Sequence, residues 1–293
     1  MTSRQALLPF LSVAVGIATF SAMDAAMKSA SIQAGVYNAL LFRNIIATCL
    51  MIPVWLIVSR ALPSASALKV HVMRSAVAAV MAVLFFYGLV RIPIAEAIAI
   101  SLIAPLIALY FAAIMLGESI QPAAIIASLL GVAGVIVIGA ARFGQGEFNP
   151  DAAMGVAAIL VSAVLYALNL VLQRKQALLA DPIEIALAQN LMVAIIFLFA
   201  APWLAVWPTG AALRDIGAGA VLAVLAILFL SWGYARAETQ ALVPIEYSGF
   251  LWAALFGWIY FNEQVGPAIV AGAVLIVIGC LIAARRPTEQ TAL

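Results

Sequence analysis

Residues 88–91 read Gly-Leu-Val-Arg, and residues 233–236, 145 positions later, read Gly-Tyr-Ala-Arg. In the same register Glu118 falls on Glu263, Pro122 on Pro267 and Gly134 on Gly279. Upstream the offset grows by one, placing Asn44 on Asn190 and Phe42-Arg43 on Ala188-Gln189. Landmarks held in one register over roughly 50 residues are more than an Ala/Leu/Val-rich composition produces by chance. The chain is written twice.

The repeat unit is a membrane unit. The 293 residues are 67% hydrophobic and 9% charged, with a mean hydropathy of +1.19, whereas a water-facing surface needs about 25% charge. Lipid must solvate much of this surface, and in lipid every backbone N–H and C=O has to be satisfied within the chain. The apolar runs are continuous, about 20 residues long and without barrel-type alternation, so they are helices. Ten such segments lie near residues 6–27, 34–58, 70–90, 94–116, 121–141, 152–173, 183–206, 213–235, 240–261 and 266–284. The expected fold is an all-α membrane protein of ten transmembrane helices in two inverted five-helix repeats, residues 1–141 and 152–293. The polar stretch 142–151, with Gly144, Gly146 and Pro150, links them.

Five is odd, so the second repeat enters the membrane from the opposite side. Inverted repeats give two nearly equivalent states open to opposite faces, with a site near the midplane where the repeats meet. That is the architecture of a secondary transporter working by alternating access. The first segment follows Arg4 as a signal peptide would, but its correspondence to the sixth makes it a retained helix.

Lys and Arg set the orientation. With a cytoplasmic N-terminus the inner set is Arg4, Arg60, Lys69, Arg74, Arg174, Lys175, Arg236, Arg285 and Arg286; the outer set is Lys28, Arg43, Arg91, Arg142 and Arg214. The positive-inside rule then places both termini in the cytoplasm, in a bacterial inner membrane. A net charge of +2 without a dense basic run argues against nucleic acid. Cys49 and Cys280 lie in apolar runs and read as small buried hydrophobes. His71, between Lys69 and Arg74, reads as a solvated loop histidine. No metal spacing, nucleophile–base pair, in-span histidine or Walker loop is found, so neither an enzyme nor a cofactor is expected. A channel lacks its charged ring or carbonyl filter. The expected partners are a small solute and membrane lipids, with the chain a monomer.

Pro93-Ile94-Ala95-Glu96-Ala97, Ala104-Pro105, Leu116-Gly117-Glu118 and glycines 131, 134 and 139 resemble the drug/metabolite transporter superfamily, EamA type. The second half repeats the pattern as Gly249-Phe250, Asn262-Glu263, Pro267, Gly272 and Gly279, departing from it with Phe250 in place of Pro105 and Asn262 in place of Gly117. Within the superfamily the chain is most similar to YddG-type exporters of aromatic and other amino acids. The resemblance implies ten helices around a central cavity, the fifth and tenth peripheral, and export of amino acids or related metabolites. The alternative is the same fold carrying drugs or nucleotide-type metabolites.

Ionisable groups at membrane depth cost about 2.5–3.5 kcal/mol each on insertion scales, so each asks for a reason. Asp24 can pair with Lys28 one turn on, or with Arg43 on the second helix as a packing or gating clamp. Glu246, just after Pro244, can face the cavity or begin a helix. Glu118 and Glu263 read as helix-end caps, with a gate contact the alternative. Tyr87, Ser101, Tyr166, Asn169, Ser248 and Trp252 are further substrate-binding candidates. Tyr166 and Asn169 are three apart and share a helix face. Glu246, Gly249 and Ala253 form one stripe, with Ser248 about 160° away. Each polar group can instead make an interhelical hydrogen bond worth about 0.6 kcal/mol. Trp55, Trp203 and Trp207 read as interfacial belt residues.

Overall fold

The computed structural model describes residues 3–58, 62–116, 125–126, 129–134, 136–137, 150–237, 242, 245 and 248–284. The described residues are helical apart from short connections, with no strand among them. The helices are α1 Ser3–Ala34, α2 Val36–Val58, α3 Ala65–Leu89, α4 Ile94–Ser101, α5 Ile103–Leu116, α6 Pro150–Ala177, α7 Pro182–Leu198, α8 Ala201–Leu204, α9 Gly210–Tyr234, α10 Ser248–Phe261 and α11 Pro267–Ala284. Among the described residues five stretches are long and apolar enough to cross a bilayer: Leu7–Ala34, α2, α3, α6 and α9. Shorter apolar helices, α7 and α10 among them, accompany these. The chain is a multi-pass, all-α membrane protein.

Several boundaries differ from the hydropathy reading. Helix α1 runs seven residues past position 27, because Asp24 and Lys28 are buried in the bundle rather than set at its rim. It ends at Gly35, whose φ of +80° is the left-handed conformation that closes a helix. Helix α3 begins at Ala65, five residues before the predicted start, because the Ser64 side chain caps it by accepting from the Ala67 N–H at 3.1 Å. The segment 94–116 is two helices meeting at Leu102. The fifth predicted segment is helical at 125–126, 129–134 and 136–137, and the rest of it lies outside the described residues.

The helices pack in a reciprocal pattern. Helix α1 lies along α9 as α3 lies along α6, α2 packs on α7, α2 also meets α9, and α3 meets α7. Exchanging each helix for the one carrying its repeat partner maps this set onto itself. The glycines that anchored the sequence register show why. A Cβ on Gly88 would lie 2.6 Å from Ile159 Cγ1 and 2.7 Å from the Gly155 carbonyl oxygen. A Cβ on Gly233 would lie 2.5 Å from Val13 Cγ2 and 3.0 Å from the Pro9 carbonyl oxygen. Only a glycine permits either approach. Three residues on, Arg91 folds back onto the Tyr87 ring at 3.5 Å and donates to the Tyr87 carbonyl at 2.8 Å. Arg236 does the same to Trp232, at 4.1 and 3.0 Å.

Gly88→Ala is therefore expected to lower stability by about 1–3 kcal/mol, the usual cost of overpacking, because the atoms it meets include backbone. Thermal unfolding in detergent measures this, and an unchanged midpoint would contradict the contact.

Candidate functional site

A cavity of about 180 Å³ lies within the bundle. Helices from both halves of the chain line it: α1, α2, α3 and α4 from the first, and α6, α7, α9 and α10 from the second. Its walls are largely apolar, from Ile17, Phe20, Met81, Phe85, Val193 and Ile227, with polar groups set among them.

Asp24 and Arg43 both face this space. Among the described residues Asp24, 8% exposed, makes no hydrogen bond, while the Arg43 Nη1 lies 3.5 Å from Met23 Sδ and its buried Nε has no partner. A carboxylate and a guanidinium thus border one cavity without closing on each other. Asn44 and Asn190, matched in the repeat, both line it and both donate one turn back along their own helices, to Leu40 O at 2.7 Å and Ala186 O at 2.8 Å. Gln189, at the repeat position of Arg43, lines it with a buried Oε1 that has no partner.

At one end of the cavity stands Arg74, 5% exposed. It donates from Nε to Asn169 Oδ1 at 3.1 Å, from Nη2 to Gln173 Oε1 at 2.8 Å and from Nη1 to Gln176 Oε1. With its oxygen so engaged, the Gln176 amide nitrogen donates to His71 Nδ1, and His71 Nε2–H then donates to Glu184 Oε1 at 2.9 Å. Asp181 fixes Glu184 in place by capping α7, accepting from the Ile183 and Glu184 N–H groups at 2.8 and 2.9 Å. His71, read from sequence as a solvated loop residue, is fully buried on α3. The polar cluster Lys69–Arg74 suggested a loop, but it begins inside a capped helix.

One turn beyond Asp24, α1 carries an ion pair. Lys28, 6% exposed, donates to Glu263 Oε1 at 2.6 Å and to the Ile92 carbonyl at 2.9 Å. Glu263 Oε2 accepts the Ile94 N–H at 2.7 Å, so it caps α4 and joins α1 to the chain after α10. Asn262 makes this possible: with φ of 55° it ends α10, and the Glu263 N–H bonds back to the Gly257 carbonyl at 3.1 Å. Lys28 is thus the partner of Glu263 and not of Asp24, because the long α1 carries it up to the α3–α4 turn.

Of the candidates read from sequence, Asp24, Arg43, Ser101, Tyr166 and Asn169 line the cavity. Tyr87 does not; its ring lies under the Arg91 guanidinium. Trp252 is 37% exposed and stacks on Phe256 on the outside of α10. Ser248 has a buried Oγ with no partner but is turned away from the cavity that Gly249 borders. Glu246, Pro244 and Glu118 lie outside the described residues. Sequence reading missed Arg74, Gln173 and Gln189.

The chain is 28% identical over 275 residues to the pseudopaline exporter CntI of Pseudomonas aeruginosa, covering 91% of this chain and 92% of that one. It is 28% identical over 208 residues to the aromatic amino acid exporter YddG of Ancylobacter novellus, covering 68% and 70%. It is 24% identical over 285 residues to a riboflavin transporter of Brucella anthropi, covering 93% and 98%. A solved crystal structure matches with a TM-score of 0.69 at 21% identity, over 92% of this chain and 98% of that one, which shows a shared fold. The sequence profile of one family matches twice, over residues 7–140 and again over 153–285. With both halves matched, the chain belongs to the EamA-like transporter family.

Proposed function

We propose that this protein is a secondary transporter of the bacterial inner membrane that exports amino acids or closely related zwitterionic metabolites by alternating access. Its units are two inverted five-helix repeats, residues 1–141 and 152–293, joined by the loop 142–151. The reciprocal helix pairing, the twin glycine contacts and the doubled family match support that architecture. The charge bias supports cytoplasmic termini: Lys28, Arg43 and Arg74 belong to the bundle interior, and without them Lys and Arg still concentrate on the N-terminal side. On this orientation the Lys28–Glu263 latch is periplasmic and the Arg74–Glu184 chain is cytoplasmic.

One observation carries the choice of solute. Asp24 and Arg43 face a common cavity within each other's field but without closing into a salt bridge, and no other described charge pairs with either, among unpartnered amide atoms. Buried charges are costly unless paired. A zwitterion supplies both partners, its ammonium to Asp24 and its carboxylate to Arg43. Tyr166 offers an aromatic face, and Ser101 and Asn169 offer adaptable hydrogen bonds. The cavity is smaller than the ~300–1,000 Å³ of pockets for drug-sized ligands, which favours a small solute. Two relatives are exporters by name, one of aromatic amino acids. Apolar walls separate solutes by only about 1–3 kcal/mol per methylene, so breadth across amino-acid side chains is expected. The working partners are the solute and the surrounding lipid, with the chain acting as a monomer.

Counterflow of labelled amino acids into proteoliposomes tests the proposal. The wild type should accumulate several amino acids, and Asp24→Asn should slow all of them by about tenfold, the worth of one hydrogen bond to a charge. Normal counterflow by Asp24→Asn across the panel would place the ammonium site elsewhere.

A further inference from the structure

We infer that Arg74 and Gln173 form a second anion-binding subsite, and that the favoured solutes are amino-acid derivatives carrying two carboxylates. The inference rests on the zwitterion reading of the cavity and adds a second acidic group to its cargo. Its basis is the way Arg74 is held. The guanidinium is buried and lines the cavity, yet all three of its contacts are neutral amide oxygens, on Asn169, Gln173 and Gln176. No described carboxylate touches it; Glu184 is reached through Gln176 and His71. An Arg whose role was structural would be expected to have an acid against it, because a buried cation without one is costly.

A guanidinium carries five N–H groups, and the three contacts leave two of them for a ligand. Beside them, Gln173 is 3% exposed and lines the same cavity. Its Oε1 is committed to Arg74, and its buried Nε2 has no partner. Two further guanidinium N–H groups and an orphan amide N–H₂ thus belong to side chains that line the same cavity, and no described residue accepts from them. That donor set fits a carboxylate, which accepts in a planar, bidentate manner.

The charges agree. Arg43 and Arg74 against Asp24 leave the described cavity wall with one positive charge in excess. A monocarboxylic zwitterion matches Asp24 and Arg43 and leaves Arg74 unmet, whereas a solute with one ammonium and two carboxylates matches all three. Arg74 stands nine residues into α3, about 14 Å from the helix start, and Arg43 stands seven residues into α2, which runs in the opposite sense. The two guanidinium groups therefore belong to opposite halves of the cavity. They suit an elongated solute, such as an acidic amino acid or an amine-linked dicarboxylate, spanning between them. A small inorganic anion could fill the same donors, and the test separates the two.

Proteoliposomes with a defined internal buffer are assayed for counterflow of glutamate, an N-carboxyalkyl amino acid, leucine and phenylalanine. The wild type should carry the two-carboxylate solutes at least as well as the neutral ones. Arg74→Gln should slow the dicarboxylates at least tenfold more than it slows leucine and phenylalanine. Gln173→Met, which keeps the volume and removes the donor, should act in the same direction more weakly. Arg74→Lys should restore part of the dicarboxylate rate, showing that charge and not folding is at issue. Neutral amino acids carried without dicarboxylates would overturn the inference and leave the zwitterion reading standing. Leucine counterflow that requires chloride in wild type but not in Arg74→Gln would also overturn it, assigning the subsite to an inorganic anion. If none of the four solutes is carried, both readings fall together.

Discussion

Glu263→Ala is expected to destabilise the folded protein by about 3–5 kcal/mol, the cost of leaving one member of a buried ion pair alone. Lys28 would keep the Ile92 carbonyl, at 2.9 Å, and the Phe261 ring, 5.2 Å away, but no counter-charge in a site where it is 6% exposed. Helix α4 would also lose the acceptor at its N-terminus, since the Ile94 N–H bonds to Glu263 Oε2 at 2.7 Å. The two losses distinguish variants. Glu263→Gln retains one acceptor oxygen, enough for Lys28 or for the Ile94 N–H but not for both, and should still cost less than Glu263→Ala. Lys28→Met combined with Glu263→Gln removes both charges and should recover part of the loss, because contacting residues do not add independently. Thermal unfolding in detergent reads all three. Equal midpoints for wild type and Glu263→Ala would mean that the Lys28–Glu263 pair does not stabilise the fold.

Arg43→Ala is the second large expectation. The side chain faces the cavity, its Nε has no partner among the described residues, and the hydrogen-bond contact it does make is to a thioether sulfur at 3.5 Å. A group so placed contributes little to folding. Removing it should change stability by less than removing Glu263, while transport of every amino acid falls about 10- to 100-fold, the range for hydrogen bonds to charged groups. Arg43→Lys keeps the charge as a point donor without the planar fork and should recover only part of the rate. A variant as active as wild type would move the carboxylate contact away from α2.

Much of this arrangement is written in the sequence because the repeat samples it twice. Gly88 and Gly233 fall in register because both mark a crossing where a Cβ would collide. Arg91 and Arg236 fall in register because both fold back on an aromatic ring one turn earlier. Asn262, at the repeat position of Gly117, ends α10 in the left-handed conformation that asparagine tolerates. The shared face of Tyr166 and Asn169 follows from helical spacing alone.

The polar chain from Arg74 to Glu184 was not legible, for an identifiable reason. In a soluble helix polar residues face out, and the cluster Lys69, His71, Arg74 looked like the end of a span. In lipid the stripe inverts. On α3, His71, Arg74, Ser75, Ala78 and Ala82 are buried, while Leu68, Val72, Met73, Val80 and Val83 are exposed. Small and polar residues at helical spacing, opposite a face of large aliphatic ones, were the available signal. The same inversion on α6 places Ser162, Asn169, Gln173 and Gln176 inside while Leu160, Val161 and Val164 face out. Gln189 had a separate signal, since it occupies the repeat position of Arg43. No pattern in the chain announces that Lys28 meets Glu263, 235 residues away; that pairing exists only once the bundle has closed.

The central claim is that a solute occupies the cavity between the two halves and that the cavity opens in turn to each side of the membrane. Ser101 lines it, 9% exposed, with its hydroxyl donating to the Ala97 carbonyl. Ser101→Cys in a background where Cys49 and Cys280 are serine provides one reporter thiol. Its alkylation by a small membrane-impermeant reagent, applied separately to each face of sealed vesicles, should proceed from both sides and should slow when a transported amino acid is present. Labelling from one face only, or at a rate no solute alters, would contradict an alternately open binding cavity at this position.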